Sequence, residues 1–168
     1  MKAKCLGLIF FSFLILTWGP LAGGAEKTTV GWVERVRIFP GNTPVEARVD
    51  TGAELASLHC DCITPMERNG EKWVSFVVEN TDGRPVLMEQ KVLRIATIKR
   101  HFGEVQERMV IKLGVCLGKT YKEAEITLVD RSGLTYPMLV GRDFLEGSFI
   151  VDPSVSYKTT PQCRGPGK

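Results

Sequence analysis

The residues with the clearest chemical potential are Val49-Asp50-Thr51-Gly52-Ala53, an apolar lead-in ending at a carboxylate and a glycine, and, far downstream, Leu139-Val140-Gly141-Arg142-Asp143-Phe144-Leu145. Asp-Thr-Gly alone recurs by chance and makes a good turn after a strand; the flanking residues and the second element make the pair specific. Carboxylates hydrolyse a peptide bond when two of them share one proton, so that one acts as base towards water while the other, protonated, polarises the carbonyl. Such a dyad titrates as a unit. In that chemistry Asp50 supplies the carboxylate, Gly52 lets two loops approach without a Cβ clash, the Thr51 hydroxyl ties one loop to the other, and Ala53 packs beneath. The chain holds no second Asp-Thr-Gly or Asp-Ser-Gly, and Asp130-Arg131-Ser132-Gly133 and Asp82-Gly83 lack the spacing. The second carboxylate is therefore expected from Asp50 of another copy, across the axis of a C2 homodimer.

His59-Cys60-Asp61-Cys62 competes, since imidazole and thiolates bind zinc and Cys116 or His101 would complete a tetrahedral set. Yet there is no His-Glu-x-x-His helix, and Leu117-Gly118-Lys119-Thr120 lacks the upstream glycine of a phosphate-binding loop, which leaves it as a turn. No metal and no cofactor is expected. Arg142 is read as a structural ion-pair partner, Asp143 as exposed or capping, and Trp32 and Trp73 as core residues.

Strands must position these residues. Their signals run over Val30–Ile38, Val45–Val49, Trp73–Glu79, Val86–Thr97, Gln106–Leu113 and Glu123–Val129, with period-two alternation clearest in the last two. Asn69-Gly70 and Asp82-Gly83 are hairpin turns, and Pro40-Gly41 is a third turn. A single helical turn at Arg142–Leu145 is the only helix predicted beyond the N-terminal segment. The fold class is all-β, a barrel with hairpins and at most short helices.

The chain resembles the bacterial retropepsin-like aspartic endopeptidases, a family related to retroviral proteases and formerly labelled an ATP-dependent zinc protease. The resemblance spans Val30–Tyr157 and rests on Gly31-Trp32-x-Glu34, Asp50-Thr51-Gly52-Ala53 with Ser57-Leu58, Asp130-Arg131, Pro137-Met138, Leu139-x-Gly141-Arg142 and Val151-Asp152. It implies a closed retropepsin-like barrel and an aspartic endopeptidase acting on peptide or protein substrates. Glu54, Ser57, Leu139, Gly141 and Arg142 would support the site. By analogy with retroviral proteases, Arg142 would pair with Glu54. The stretch from Asp50 to Gly141 is longer than the retroviral one by roughly thirty residues, enough for an extra hairpin. The flap over the cleft would then come from the Asn69-Gly70 hairpin, the Asp82-Gly83 hairpin or the loop Lys99–Glu104. Two other readings stand beside this one: a binding module of the same fold that cleaves nothing, and a zinc-dependent peptidase.

Lys2 and Lys4 precede an uncharged apolar run, Leu6–Trp18, and a small-residue stretch ending at Ala25, the form of a secretory signal peptide over residues 1–25. The run is too short for a spanning helix. Cleavage would leave one domain over 26–157, a mobile tail over 158–168 tethered at most by Cys163, and a periplasmic or secreted protein with no stable membrane span. A formal charge of +3 from interleaved residues argues against a nucleic-acid partner. Cys60, Cys62, Cys116 and Cys163 would form one or two disulfides, most simply one joining Cys60 or Cys62 to Cys116 or Cys163.

Overall fold

The computed structural model describes residues 26–99 and 105–165; the signal-peptide reading, the tip of the Lys99–Glu104 loop and the last three residues lie outside them. The elements are β1 (Thr28–Gly31), β2 (Val33–Phe39), β3 (Thr43–Val49), β4 (Ala56–His59), β5 (Asp61–Arg68), β6 (Glu71–Glu79), β7 (Pro85–Lys99), β8 (Val105–Leu117), β9 (Thr120–Val129), β10 (Met138–Val140), α1 (Arg142–Leu145) and β11 (Phe149–Asp152). β2, β3, β10, β4, β9 and β8 are neighbours in that order, and β8 returns to β2 through Val36↔Leu117 to Phe39↔Gly114, closing a six-stranded barrel.

Alternation sorts the two faces of each strand. Val36 and Ile38 of β2, Val45, Ala47 and Val49 of β3, Leu113 and Val115 of β8, and Ile126 and Leu128 of β9 join one buried cluster. β-branched and leucine side chains in strict alternation suit a wall with one wet and one dry side. β3 and β4 follow each other in sequence but do not pair. β10 lies between them, parallel to β3 and antiparallel to β4. The chain from Asp50 to Leu55 must therefore cross the end of β10, which makes that crossing the defining feature of the site.

The extra length takes the form of the β5–β6 hairpin. β7 is long enough to serve two partners, β6 through Trp73↔Lys91 to Glu79↔Pro85 and β8 through Val92↔Ile111 to Lys99↔Val105. Val74, Phe76 and Val78 of β6 with Met88 of β7 belong to the main core, so this extension is packed down. Asn69 and Gly70 make the β5–β6 turn with φ of 54° and 77°, a backbone that asparagine and glycine tolerate best. At the Asp82-Gly83 turn, Asn80 Oδ1 accepts from the Asp82 and Arg84 amides, and the Thr81 amide donates to Pro44 O at 3.0 Å. That contact seats the turn at the start of β3, the opposite end from Asp50, where Asn80 and Thr81 line one groove with His59 and Arg131.

Three expectations need correction. The disulfide joins Cys116 and Cys163, while Cys60 and Cys62 are free. Cys62 has φ of 51° beside a register shift between Asp61 and Thr64, so the alternation that would point both thiols one way is broken. Residues 158–165, expected to be mobile, are tied down by that disulfide, by the Gln162 amide on Gly118 O, and by the Lys158 and Thr159 amides on Glu34. Trp32 is 41% exposed, packed edge-on against Tyr136, and not a core residue.

Candidate active site

Asp50 follows β3 directly, and its amide donates to Val140 O at 3.0 Å. Its Oδ1 accepts the Gly52 amide at 2.9 Å, a local turn in which a Cβ on residue 52 would lie 3.1 Å from that same oxygen. Thr51 and Gly52 are exposed, and Asp50 is half-buried. The loop is held from below by the second element. Arg142 Nη1 donates to Thr51 O at 3.0 Å and Gly52 O at 2.8 Å, while the Arg142 amide donates to Ala53 O and the Asp143 amide to Glu54 O.

The expected Arg142–Glu54 ion pair is thus replaced by one guanidinium nitrogen, Nη1, donating to two loop carbonyls. An ion pair at the exposed Glu54 would gain little in water, whereas the two carbonyls face the guanidinium directly. Gly141 is required by the crossing itself, because a Cβ there would meet the Leu55 carbonyl oxygen at 2.6 Å. Ala53 is half-buried under the loop, Leu139 is half-buried, and Ser57 is buried. Asp143 is exposed, and no side chain caps α1.

Register brings further residues beside the carboxylate. Leu139 sits opposite both Arg48 and Ser57, making one row across β3, β10 and β4. Arg48 lies two residues before Asp50, so both use the same face of the strand end. Arg131, after β9, extends over this row. Its Nη1 donates to Ser57 Oγ at 3.0 Å and its Nε to Tyr136 O at 3.2 Å. Burial pushes the Arg131 guanidinium down from its usual range, Arg108 and Arg48 push the same way, and Asp50 opposes them. Arg131 therefore lies within electrostatic reach of Arg108, Arg48 and Asp50. A groove of about 510 Å³ continues from Arg131 past His59 to Glu46 and Leu134. Arg48 and Arg131 escaped the sequence reading as site residues, although the two-residue offset from Asp50 and the Asp130-Arg131 pair were both visible.

The His-Cys-Asp-Cys segment is built differently from a zinc site. His59 Nδ1 accepts the Arg131 amide at 2.9 Å, which occupies one ring nitrogen. Cys60 is buried, and that burial pushes its thiol from 9.0 to about 12, against the deprotonation that a metal ligand needs. Cys62 is exposed on the bulged strand. Among the described residues, no three His, Cys, Asp or Glu side chains gather as a metal would require.

Comparison with known proteins converges on this architecture. A crystal structure of Lpg0085, a Legionella pneumophila protein of unknown function, superposes with a TM-score of 0.68 at 29% identity, covering 80% of this chain and all of that one. Curated relatives include proteins named probable alpha-L-glutamate ligase from Shewanella halifaxensis, 39% identical over 124 residues, and Parasynechococcus marenigrum, 34% identical over 121 residues. The matches cover 71% and 70% of this chain but 27% and 26% of those relatives, so the chain spans about a quarter of their length. The family described as retropepsin-like aspartic endopeptidase RimB matches residues 29–162. With its strand order, its crossing at Gly141 and its braced Asp50 loop, the chain belongs to the RimB-like family of retropepsin-like aspartic endopeptidases.

Proposed function

We propose that this protein is an exported, homodimeric aspartic endopeptidase in which Asp50 of each subunit supplies one carboxylate of a water-activating dyad, and that it cleaves acidic, glutamate-rich peptides. The observation that carries the reading is the Asp50 loop: braced from within its own subunit by Arg142, yet exposed at Thr51 and Gly52. Those two residues are what a symmetric copy would meet across a two-fold axis. A cavity of about 630 Å³ joins Thr51, Glu54 and Arg142 to Phe149 and Val151, so the loop and the small β1–β11 sheet share one side of the molecule. Ile150 on that sheet is 54% exposed, as an apolar interface residue would be in a lone subunit. In the dimer, one Asp50 would accept a proton from water while its protonated partner polarises the scissile carbonyl, the two exchanging roles as the amine leaves.

Two observations support the substrate class. Arg131, within electrostatic reach of Asp50 and also of Arg48 and Arg108, puts positive charge beside the carboxylate that would otherwise repel an acidic chain. The relatives that carry a similar segment are named for ligating α-L-glutamate. Export is supported by the N-terminal segment and by the Cys116–Cys163 disulfide, which persists in oxidising compartments. That the named activity of those relatives is a ligation, with this segment only a quarter of their length, also favours a second reading, a binding module that holds glutamyl chains without cutting them.

The test is cleavage of glutamate-rich peptides and of a diverse peptide library by the mature protein and by Asp50→Asn, from acidic to neutral pH, with a chelator in parallel. Asp50-dependent, chelator-resistant cleavage preferring acidic peptides is expected. Binding without cleavage by a verified dimer would establish the second reading, and chelator-sensitive cleavage indifferent to Asp50 would overturn the aspartic mechanism.

A further inference from the structure

A cavity of about 720 Å³ lies on the outer side of the barrel, where the tail crosses β2, β8 and β9. Its floor is aromatic. The Phe39 and Tyr121 rings meet edge-to-face with centroids 5.7 Å apart. Tyr121 lies flat on β8 because residue 114 is glycine; a Cβ there would come within 2.7 Å of the ring. The wall is the tail, held by the Cys116–Cys163 disulfide, with Gly165 so close to Phe39 that a Cβ would lie 2.5 Å from the ring.

The charge of this cavity is unbalanced. Arg37, half-buried, and Arg164, exposed, both line it, and neither has a carboxylate partner among the described residues. The one carboxylate in the lining, Glu123, lies 3.7 Å from Lys112, a cation of the same lining. Two guanidinium forks above an apolar floor match the bidentate geometry of carboxylates joined by short aliphatic arms, and the volume is that of a small-ligand site. None of these residues belongs to the Asp50 site, and Arg37 and Phe39 lie at the far end of β2 from the Val33↔Arg48 pair.

We propose that this cavity is a second, non-catalytic site for a multiply carboxylated ligand of the size of a short glutamyl peptide, with Arg37 and Arg164 holding the carboxylates and the disulfide-held tail forming one wall. The choice of glutamyl ligand rests on the proposed function; the site itself does not.

Binding is measured by calorimetry and amide NMR on Asp50→Asn protein, with tetra-L-glutamate as one probe and inorganic phosphate as another. Saturable binding of tetraglutamate is expected, with shifts at Phe39, Tyr121 and Gly165. Arg37→Ala/Arg164→Ala should weaken it about tenfold or more with the melting temperature unchanged, and the same pair introduced beside wild-type Asp50 should leave the cleavage rate of a short peptide unchanged. Cys163→Ser should weaken it less. Shifts confined to the surroundings of Asp50 and Arg131, indifferent to the double substitution, would overturn the proposal, as would phosphate binding there while tetraglutamate does not. The two readings fail separately. Cleavage by wild type without binding at Arg37 sinks only this site, whereas binding at Arg37 by a protein that cleaves nothing sinks only the peptidase.

Discussion

Glu34 and Asp50 are both carboxylates on the first barrel hairpin, and their surroundings assign them opposite roles. Glu34 is fully buried and accepts from the Gly31, Lys158 and Thr159 amides and from the Thr159 hydroxyl. Those four donors fill the acceptor capacity of an ionised carboxylate, and a charge so held is a structural tie between β2 and the tail. Among the described residues Asp50 takes one hydrogen bond, from the Gly52 amide to Oδ1, and none is donated to its second oxygen. A half-buried carboxylate with spare acceptor sites, beside the exposed Thr51 and Gly52, is available to water. The lesson is that satisfaction, more than residue type or burial alone, separates a structural acid from a chemical one.

The sharpest way to break this comparison is to neutralise each acid. Asp50→Asn should abolish cleavage, by about a thousandfold or more in kcat/KM, with an unchanged circular dichroism spectrum and melting temperature. Glu34→Ala should do the reverse. It strands the buried Gly31 amide, releases the part-buried Lys158 and Thr159 amides and with them the tail, and should cost about 4 kcal/mol in a urea titration, while the protein that is folded retains its specific activity. A large stability loss in the first variant, or a specific loss of turnover in the second, would erase the distinction.

Cys163→Ser tests how much of the tail depends on its covalent tie rather than on Glu34. With a sequence separation of 47 between the cysteines, opening the loop should cost about 4 kcal/mol, read as a lower denaturant midpoint with little effect on turnover. At the other end, Arg142→Ala removes the brace under Thr51 and Gly52. Activity should fall about thirtyfold, chiefly in kcat, and Arg142→Lys should restore only part because a flexible ammonium on a shorter stem lacks the planar, pre-organised reach of the guanidinium.

The smallest effect concerns Cys60. Its folded-state value is raised from 9.0 to about 12, so the neutral thiol is favoured in the fold. The stability this contributes is complete below pH 9 and fades as pH climbs towards 12. Cys60→Ala should flatten that alkaline loss in melting curves. At pH 8 an alkylating reagent should modify Cys62 in the native protein and reach Cys60 only on unfolding, as mass spectrometry would show.

The strands legible in the sequence were those with long alternating apolar runs, and they correspond to β2, β3, β6, β7, β8 and β9. β4 and β10 gave no usable period because they are four and three residues long. β5 hid for another reason: nearly every residue is exposed, Pro65 interrupts it, and a register shift falls within it, so neither apolar pattern nor propensity marks it. Arg142 was recognisable as a brace, but its partner was misjudged, since a guanidinium is as well served by two carbonyls as by an acid and only the loop path decides which is within reach.

By itself the sequence determined the all-β class and the one Asp-Thr-Gly loop, because these are local matters of alternation and turn chemistry, while the crossing at Gly141 depends on strand order. Only the tertiary structure decided which cysteines pair, that Glu34 is spent on the tail, that Arg48 and Arg131 flank Asp50, and where the second cavity lies. Each of those depends on contacts between residues far apart in the chain, whose partners are selected by strand order and register rather than by any local preference.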